Sequence, residues 1–342
     1  IYVTVSKLSY AEKQYNLKEL FKLLPGLYIH RWLRITPTFM VAVLLFWQLL
    51  PLFSEGPFWE FEVDIDACEK YWWTNLLYVS NLIPWRNESG CFNVGWYLAN
   101  DFQFAVLFSP LIFVGFLKGP KWAHWPTFAM ILASLGFTLW LGFGKGLLFT
   151  IFDGGLPSPG NPSSNAYVYF PDYYFRPWTR IVPYAGGVMA AFFWKSHSNY
   201  FKNMTHKANC LVTIIWSFLL FVCVYGTYWA YQDVPSPIPK WLNYMYMTFS
   251  KPAWTVGLTA LTFQCIARKG GPVQSLLEWN FFAPLARLSF CAYLIHPTII
   301  YWYYKASYIP LRFSEINFAF LFCGATLGTF AASIALYLAV EI

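Results

Sequence analysis

Residues 316–340 read INFAFLFCGATLGTFAASIALYLAV and contain no Asp, Glu, Lys or Arg. A helix needs about 20 mostly apolar residues to cross the hydrocarbon core of a bilayer, so this stretch predicts a transmembrane helix. Other stretches meet or nearly meet this criterion for a transmembrane helix; they lie at 37–53, 101–117, 126–150, 179–194, 209–231, 246–266 and 285–304. Residues 1–5 suit the end of a further span. The predicted fold class is all-α, a polytopic transmembrane helical bundle of about eight to nine spans.

The composition excludes a soluble globular domain. Hydrophobic residues make up 58% of the 342 residues and charged residues only 11%, whereas soluble domains carry about 25% charged residues. We therefore expect the lipid bilayer to be the main partner. The net charge of +7 is explained by Lys and Arg in loops, and no nucleic-acid partner is expected. No repeat or linker divides the chain, so a single domain is predicted over residues 1–342.

The loops predict an orientation in the membrane. Lys and Arg are concentrated in the loops on one side, which should be cytosolic, and this places loop 54–100 on the lumenal or extracellular side. Cys68 and Cys91 lie in that loop, and disulfides persist in that compartment, so the two are predicted to pair. The sequon at Asn87 should be glycosylated, and a second sequon at Asn203 should be unused. We expect a multi-pass protein of the endoplasmic reticulum or plasma membrane.

Ionisable groups at membrane depth are costly and are therefore functional candidates. His296 precedes Pro297 inside span 285–304; it either donates to a carbonyl freed by the proline or takes part in chemistry. Arg31 and Arg34, three residues apart, share a helix face before span 37–53. Their guanidinium groups suit either the phosphates of a nucleotide-like donor or anionic headgroups.

A second polar group is predicted where loop 54–100 enters span 101–117. Asp101 is expected either to cap that helix or to pair with Arg180, and Asn100 and Gln103 would join the cluster. Residues 7–30 suit an interfacial helix or an ordinary connector. No metal-binding spacing of His and Cys is present in the sequence, so no metal is expected.

Five motifs in order along the chain resemble a known family. They are HRWLRITP at 30–37, Cys68 with YWWTNLLY at 71–78 and Cys91, WYLANDFQF at 96–104, RIVPYAGG at 180–187 and LSFCAYLIHP at 288–297. The pattern is similar to the nose-resistant-to-fluoxetine proteins, which belong to the acyltransferase 3 superfamily of membrane acyltransferases. The resemblance covers nearly the whole chain.

The resemblance implies transfer of an acyl group from an acyl-CoA-type donor to a hydroxyl of a lipid or small acceptor, with no bound cofactor. Arg31 and Arg34 would bind the donor, and His296 and Asp101 become the catalytic candidates. The histidine thought to act as base in the superfamily belongs to a span that would precede Ile1, so we expect the sequence to be an internal piece. The alternative function is lipid or xenobiotic transport without catalysis.

Overall fold

The structure is a computed structural model that describes residues 17–53, 63–85, 90–149, 169–228, 239–307 and 314–340. Over these ranges the chain is helical and has no strands, which confirms the all-α fold. The α-helices are α1 Leu17–Leu44, α2 Val63–Leu76, α3 Gly95–Lys118, α4 Lys121–Lys145, α5 Pro177–Lys202, α6 His206–Tyr225, α7 Lys240–Ile266, α8 Gly271–Leu277, α9 Phe282–Lys305 and α10 Glu315–Val340. A π-helical and a 3-10 turn extend α1 to Phe53, and another π turn covers Phe170–Tyr174.

Six helical segments in the described ranges are long and apolar enough to cross a membrane. They correspond to α1 with its extension, α3, α4, α6, α9 and α10. The predicted spans at 179–194 and 246–266 fall within α5 and α7, which are long enough but more polar. The count of apolar spans is therefore smaller than predicted, because α5 and α7 carry polar side chains such as Arg180 and Lys251. Apolar side chains on α6, such as Ile214 and Phe218, are exposed, as lipid-facing residues of an integral membrane protein are.

The chain forms two compact units that interleave in sequence. The first unit contains residues up to Leu24 together with Asn100–Leu276, and the second contains Pro25–Ala99 together with Leu277–Ile342. In the first unit α4, α5, α6 and α7 pack on one another. A stripe on α3 with a spacing of four residues is buried against α5: Phe104, Phe108, Ile112 and Phe116. Such spacing places side chains on one helix face, so α3 contributes a single apolar stripe to this core.

In the second unit, α9 and α10 pack together. Cys291 and Ile295 of α9 and Leu336 of α10 form a buried cluster, against which Val41 of α1 and Leu45 of its π-helical extension pack. Apolar side chains at spacings of three and four residues on each helix produce this contact.

The predicted loop 54–100 contains α2 and the disulfide. Cys68 and Cys91 are bonded, with an S–S distance of 2.11 Å, which confirms the predicted pairing. The segment runs back along α1, because the Trp32 indole N–H donates to the Leu76 carbonyl at 3.1 Å. Thr36 and Tyr78 hydroxyls are hydrogen-bonded at 3.1 Å. This part of the loop therefore covers α1 instead of extending beyond its end. Asn87 lies outside the described residues.

Candidate functional site

The arginine pair lies in the middle of a continuous helix. Residues 7–30 were predicted as an interfacial helix or a connector; residues 17–30 form the first half of α1, and residues 7–16 lie outside the described residues. Arg31 is half-buried and Arg34 is exposed. The hydrogen bond of Trp32 to Leu76 brings the C-terminal end of α2 to the level of this pair. The sequence predicted the pair on the cytosolic side and loop 54–100 on the lumenal side. In the structure the pair and the C-terminal end of α2 lie at the same height along α1, so the orientation of the chain has to be measured directly.

His296 uses one ring nitrogen to bond the carbonyls that precede Pro297 in α9. Its Nδ1 lies 2.8 Å from the Tyr293 carbonyl oxygen and 3.2 Å from that of Ala292. Pro297 has no N–H to offer to the carbonyl four residues earlier, which is that of Tyr293. Because a carbonyl can only accept, Nδ1 carries a hydrogen, and in the neutral ring Nε2 then carries the lone pair. The hydrogen bond to the freed carbonyl therefore uses Nδ1, whereas action as a base would use Nε2 of the same ring.

Two of the five motifs meet beside this histidine within the second unit. The Tyr293 hydroxyl donates to the Val94 carbonyl at 2.7 Å. The rings of Tyr97 and Tyr293 have centroids 5.5 Å apart, and those of Tyr293 and His296 are 5.8 Å apart. The start of motif 96–104 and the histidine motif thus form one aromatic and polar cluster. Sequence spacing did not predict this contact, since the two motifs are far apart along the chain.

The other predicted polar residues lie in the first unit. The Asn100 side-chain N–H donates to the Phe175 carbonyl at 3.0 Å. The neighbouring Tyr174 carbonyl accepts from Arg180 Nε at 2.8 Å. Asn100 and Arg180 are thereby brought to adjacent carbonyls, at the segment that leads into α5. Gln103 is half-buried on the next turn of α3.

Asp101 does not cap a helix. The interpretation of Asp101 as an N-terminal cap is wrong, because α3 begins at Gly95 and Asp101 lies in its second turn. The helix begins early because the chain turns at Phe92, whose carbonyl accepts from the Gly95 N–H at 2.9 Å. The structure places Asp101 and Arg180 in the same unit, and their pairing stays a prediction.

Lys251 on α7 was not among the site residues predicted from the sequence. Its Nζ donates to the Thr179 carbonyl at 2.7 Å and lies 3.8 Å from the centroid of the Tyr173 ring. Thr179 is four residues before Pro183, so its carbonyl is the one that this proline leaves without an N–H. Lys251 therefore provides the donor for the carbonyl that Pro183 leaves free in α5. A lysine inside predicted span 246–266 was the signal that could have identified it.

Aromatic and charged side chains surround this lysine. The Tyr173 hydroxyl donates to the Met247 carbonyl at 2.9 Å, and burial raises the pKa of Tyr173 above its usual range, which keeps the phenol protonated. Arg180 Cζ lies 4.2 Å from the centroid of the Tyr174 ring. Lys145 pairs with Asp172 at 3.5 Å.

No group of three or more His, Cys, Asp or Glu in the described ranges is arranged to hold a metal ion. The chemistry open to these residues is thus proton transfer at His296 and anion recognition by Arg and Lys.

Comparison with known proteins confirms the family that the sequence resembles. The acyltransferase domain of the acyltransferase 3 family matches residues 14–338. Nose resistant to fluoxetine protein 6 of Caenorhabditis elegans is 31% identical over 311 residues, which is 85% of this chain and 35% of that protein. Regulator of hypoxia-inducible factor 1 of the same organism is 22% identical over 335 residues, or 96% of this chain and 62% of the relative. No solved structure matches. The chain thus spans about a third and just under two thirds of the lengths of these relatives, and it belongs to the acyltransferase 3 family.

Proposed function

We propose that this chain forms the membrane domain of an O-acyltransferase. Its donor is an acyl-CoA-type thioester and its acceptor is a hydroxyl of a lipid or small molecule. Membership of the family supports the reaction class. The observation that carries the proposal for this chain is the protonation pattern of His296, whose Nδ1 is engaged by the Tyr293 carbonyl so that Nε2 is left as the basic nitrogen.

In the proposed reaction, the lone pair of Nε2 accepts the proton of the acceptor hydroxyl. The oxygen then attacks the thioester carbonyl, the carbon–sulfur bond breaks, and the leaving thiolate takes the proton back from Nε2, which restores the neutral base. Positioned general bases contribute about 10²- to 10⁴-fold to such reactions. Arg31 and Arg34 would bind the donor phosphates through their guanidinium forks. Asp101, the second catalytic candidate, lies in the first unit. Its role can be tested with the acyl-transfer assay described below for His296.

The test separates the two roles of His296. In full-length protein, His296→Asn keeps an amide N–H near the position of Nδ1, so the bond to Tyr293 can form, but it removes the base. We expect transfer of label from radiolabelled acyl-CoA to extracted membrane lipids to fall by about 10²-fold or more, with an unchanged melting temperature. Tyr293→Phe is the matched control; it loses the bond to Val94 and should affect stability more than transfer.

Two outcomes would contradict the proposal. Full transfer activity in His296→Asn would remove His296 from the reaction. Absence of label transfer in the wild-type full-length protein, across lipid and small-molecule acceptors, would favour the alternative of lipid or xenobiotic transport without catalysis.

A further inference from the structure

Four exposed lysines lie at two tight turns of the first unit. Lys118 ends α3 and Lys121 begins α4, while Lys202 ends α5 and Lys207 lies in the first turn of α6. Only two residues separate α3 from α4, and only three separate α5 from α6. Each turn therefore carries a pair of lysines, and the four lysines are called the basic end below.

Both turns lie at the same end of this unit, because α4 and α5 are antiparallel. The rings of His124, near the start of α4, and Phe192, near the end of α5, have centroids 5.8 Å apart. Farther along α4, the ring of Phe137 lies 6.1 Å from that of Trp178, at the start of α5. The start of α4 is thus beside the end of α5, and α6 begins directly after that end.

The basic end is not neutralised by carboxylates. The sequence contains no Asp or Glu over residues 102–150 or 173–232, which include both turns. Among the described residues, none of the four lysines is paired with a carboxylate. The ammonium groups therefore present their positive charge outward.

Lys207 begins an exposed apolar stripe on α6. Leu211, Ile214 and Phe218 follow it at spacings of four, three and four residues, which places all of them on one helix face. These three side chains are 59%, 65% and 63% exposed, and α6 is long and apolar enough to cross a membrane. Lipid chains cover such a face, so Lys207 lies at the level where the chains meet their headgroups.

The stripe points away from the rest of the unit. Trp216 on α6 donates its indole N–H to Gln264 Oε1 of α7 at 2.6 Å. Trp216 is nine residues after Lys207, which is half a turn from it around the helix axis at 3.6 residues per turn. The face of α6 that carries the stripe is consequently opposite the face that packs on α7.

The same pattern recurs on α4. Trp125, Phe128 and Leu132 follow Lys121 at spacings of four, three and four residues, and all three are exposed. This helix is also long and apolar enough to cross a membrane. Tryptophan is enriched at the headgroup level of a bilayer, and Trp125 is 71% exposed. Two helices that begin at one end thus both carry a lysine above an apolar stripe.

We propose that the basic end binds anionic phospholipids such as phosphatidylserine, with headgroups at Lys121 and Lys207 and acyl chains along the stripes of α4 and α6. The headgroup phosphate accepts N–H groups from the lysines. Each basic residue near an anionic membrane surface strengthens the attraction about fivefold. Phosphatidylcholine has the same phosphate but also a cationic choline, so its net charge gives no such attraction. This binding goes beyond acyl transfer, because it requires no reaction.

The experiment compares spin-labelled phosphatidylserine with spin-labelled phosphatidylcholine on purified full-length protein in phosphatidylcholine vesicles. Electron paramagnetic resonance distinguishes lipids held at the protein from those in the free bilayer, and so gives the relative affinity of the two lipids. We expect at least about a fivefold preference for phosphatidylserine. Added salt should reduce the preference, because it screens exposed charges.

Single substitutions locate the site. Lys207→Gln should reduce the preference at least about twofold, and adding Lys121→Gln should reduce it further. Lys240→Gln is the matched control, since Lys240 is an exposed lysine in the first turn of α7. The other end of α7 is the one near the basic end, because Lys269 Nζ donates to the Met204 carbonyl at 2.5 Å. Lys240→Gln should therefore keep the full preference.

Three outcomes would overturn the inference. Equal association of the two lipids with the wild type would mean that the lysines select no lipid. An equal loss in Lys240→Gln and Lys207→Gln would assign the effect to net charge. Displacement of spin-labelled phosphatidylserine by coenzyme A would make the basic end a site for a soluble donor. Preference for phosphatidylserine without any acyl transfer would contradict the proposed enzyme and leave this inference standing.

Discussion

Gly186 sets how closely α5 and α7 approach, and its replacement by alanine is the sharpest test of this packing. A Cβ atom added at Gly186 would lie 2.5 Å from Thr255 Cγ2, whereas ordinary contacts begin at 3.4 Å. The two helices would have to separate by about 0.9 Å, or Thr255 would have to rotate. Rotation is opposed because Thr255 Oγ1 is hydrogen-bonded to the Lys251 carbonyl, and losing that bond costs about 1 kcal/mol.

The expected magnitude follows from two opposed effects. Overpacking costs about 1–3 kcal/mol, while alanine is favoured over glycine in a helix by about 1 kcal/mol. Gly136 on α4 has nothing within 4 Å of an added Cβ, so Gly136→Ala reports the helix preference alone. We expect Gly186→Ala to be less stable than Gly136→Ala by about 1–3 kcal/mol.

The assay is unfolding of the purified protein in mixed micelles, followed by tryptophan fluorescence. Thr255→Ser deletes the obstructing methyl and keeps the hydroxyl, so adding it to Gly186→Ala should recover most of the lost stability. That recovery is the non-additivity expected of residues in contact. Equal stabilities of Gly186→Ala and Gly136→Ala, or no recovery in the double variant, would refute the close approach of α5 and α7.

Three further predictions concern the second unit and the orientation of the chain. Cys68 and Cys91 are 23 residues apart, so replacing both by serine should lower stability by about 3.4 kcal/mol from loop closure alone; equal melting temperatures with and without reductant would contradict this. Asn87 should be glycosylated and Asn203 should not, which a gel shift of Asn87→Gln and Asn203→Gln measures; a shift lost only in Asn203→Gln would reverse the orientation. Arg34→Lys should weaken binding of an acyl-CoA-type donor by full-length protein, since lysine lacks the bidentate fork; unchanged affinity would assign the pair to headgroup anchoring.

Local features of the sequence were enough to predict the class of the fold. An apolar run long enough to cross a bilayer, such as 316–340, can be recognised without knowing what it packs against. Its length and its lack of charged residues are enough to place it in the lipid bilayer. The disulfide was predictable for a similar reason, since Cys68 and Cys91 share one loop. The start of α3 was not predictable from the sequence. The chain turns at Phe92, so the helix begins before the apolar run and Asp101 lies inside it.

The sequence by itself determined that this protein is an α-helical membrane protein and identified the motifs of its family. It also fixed which carbonyls would lack an N–H, because each proline frees the carbonyl four residues before it. For Pro297 the donor is His296, its neighbour in the sequence, and this bond was one of the two alternatives that the sequence offered. For Pro183 the donor is Lys251, 72 residues from Thr179 along the chain, and only the tertiary structure decided that it reaches this carbonyl. Such a pairing depends on how two helices pack, and helix packing is decided by the side chains of both partners together.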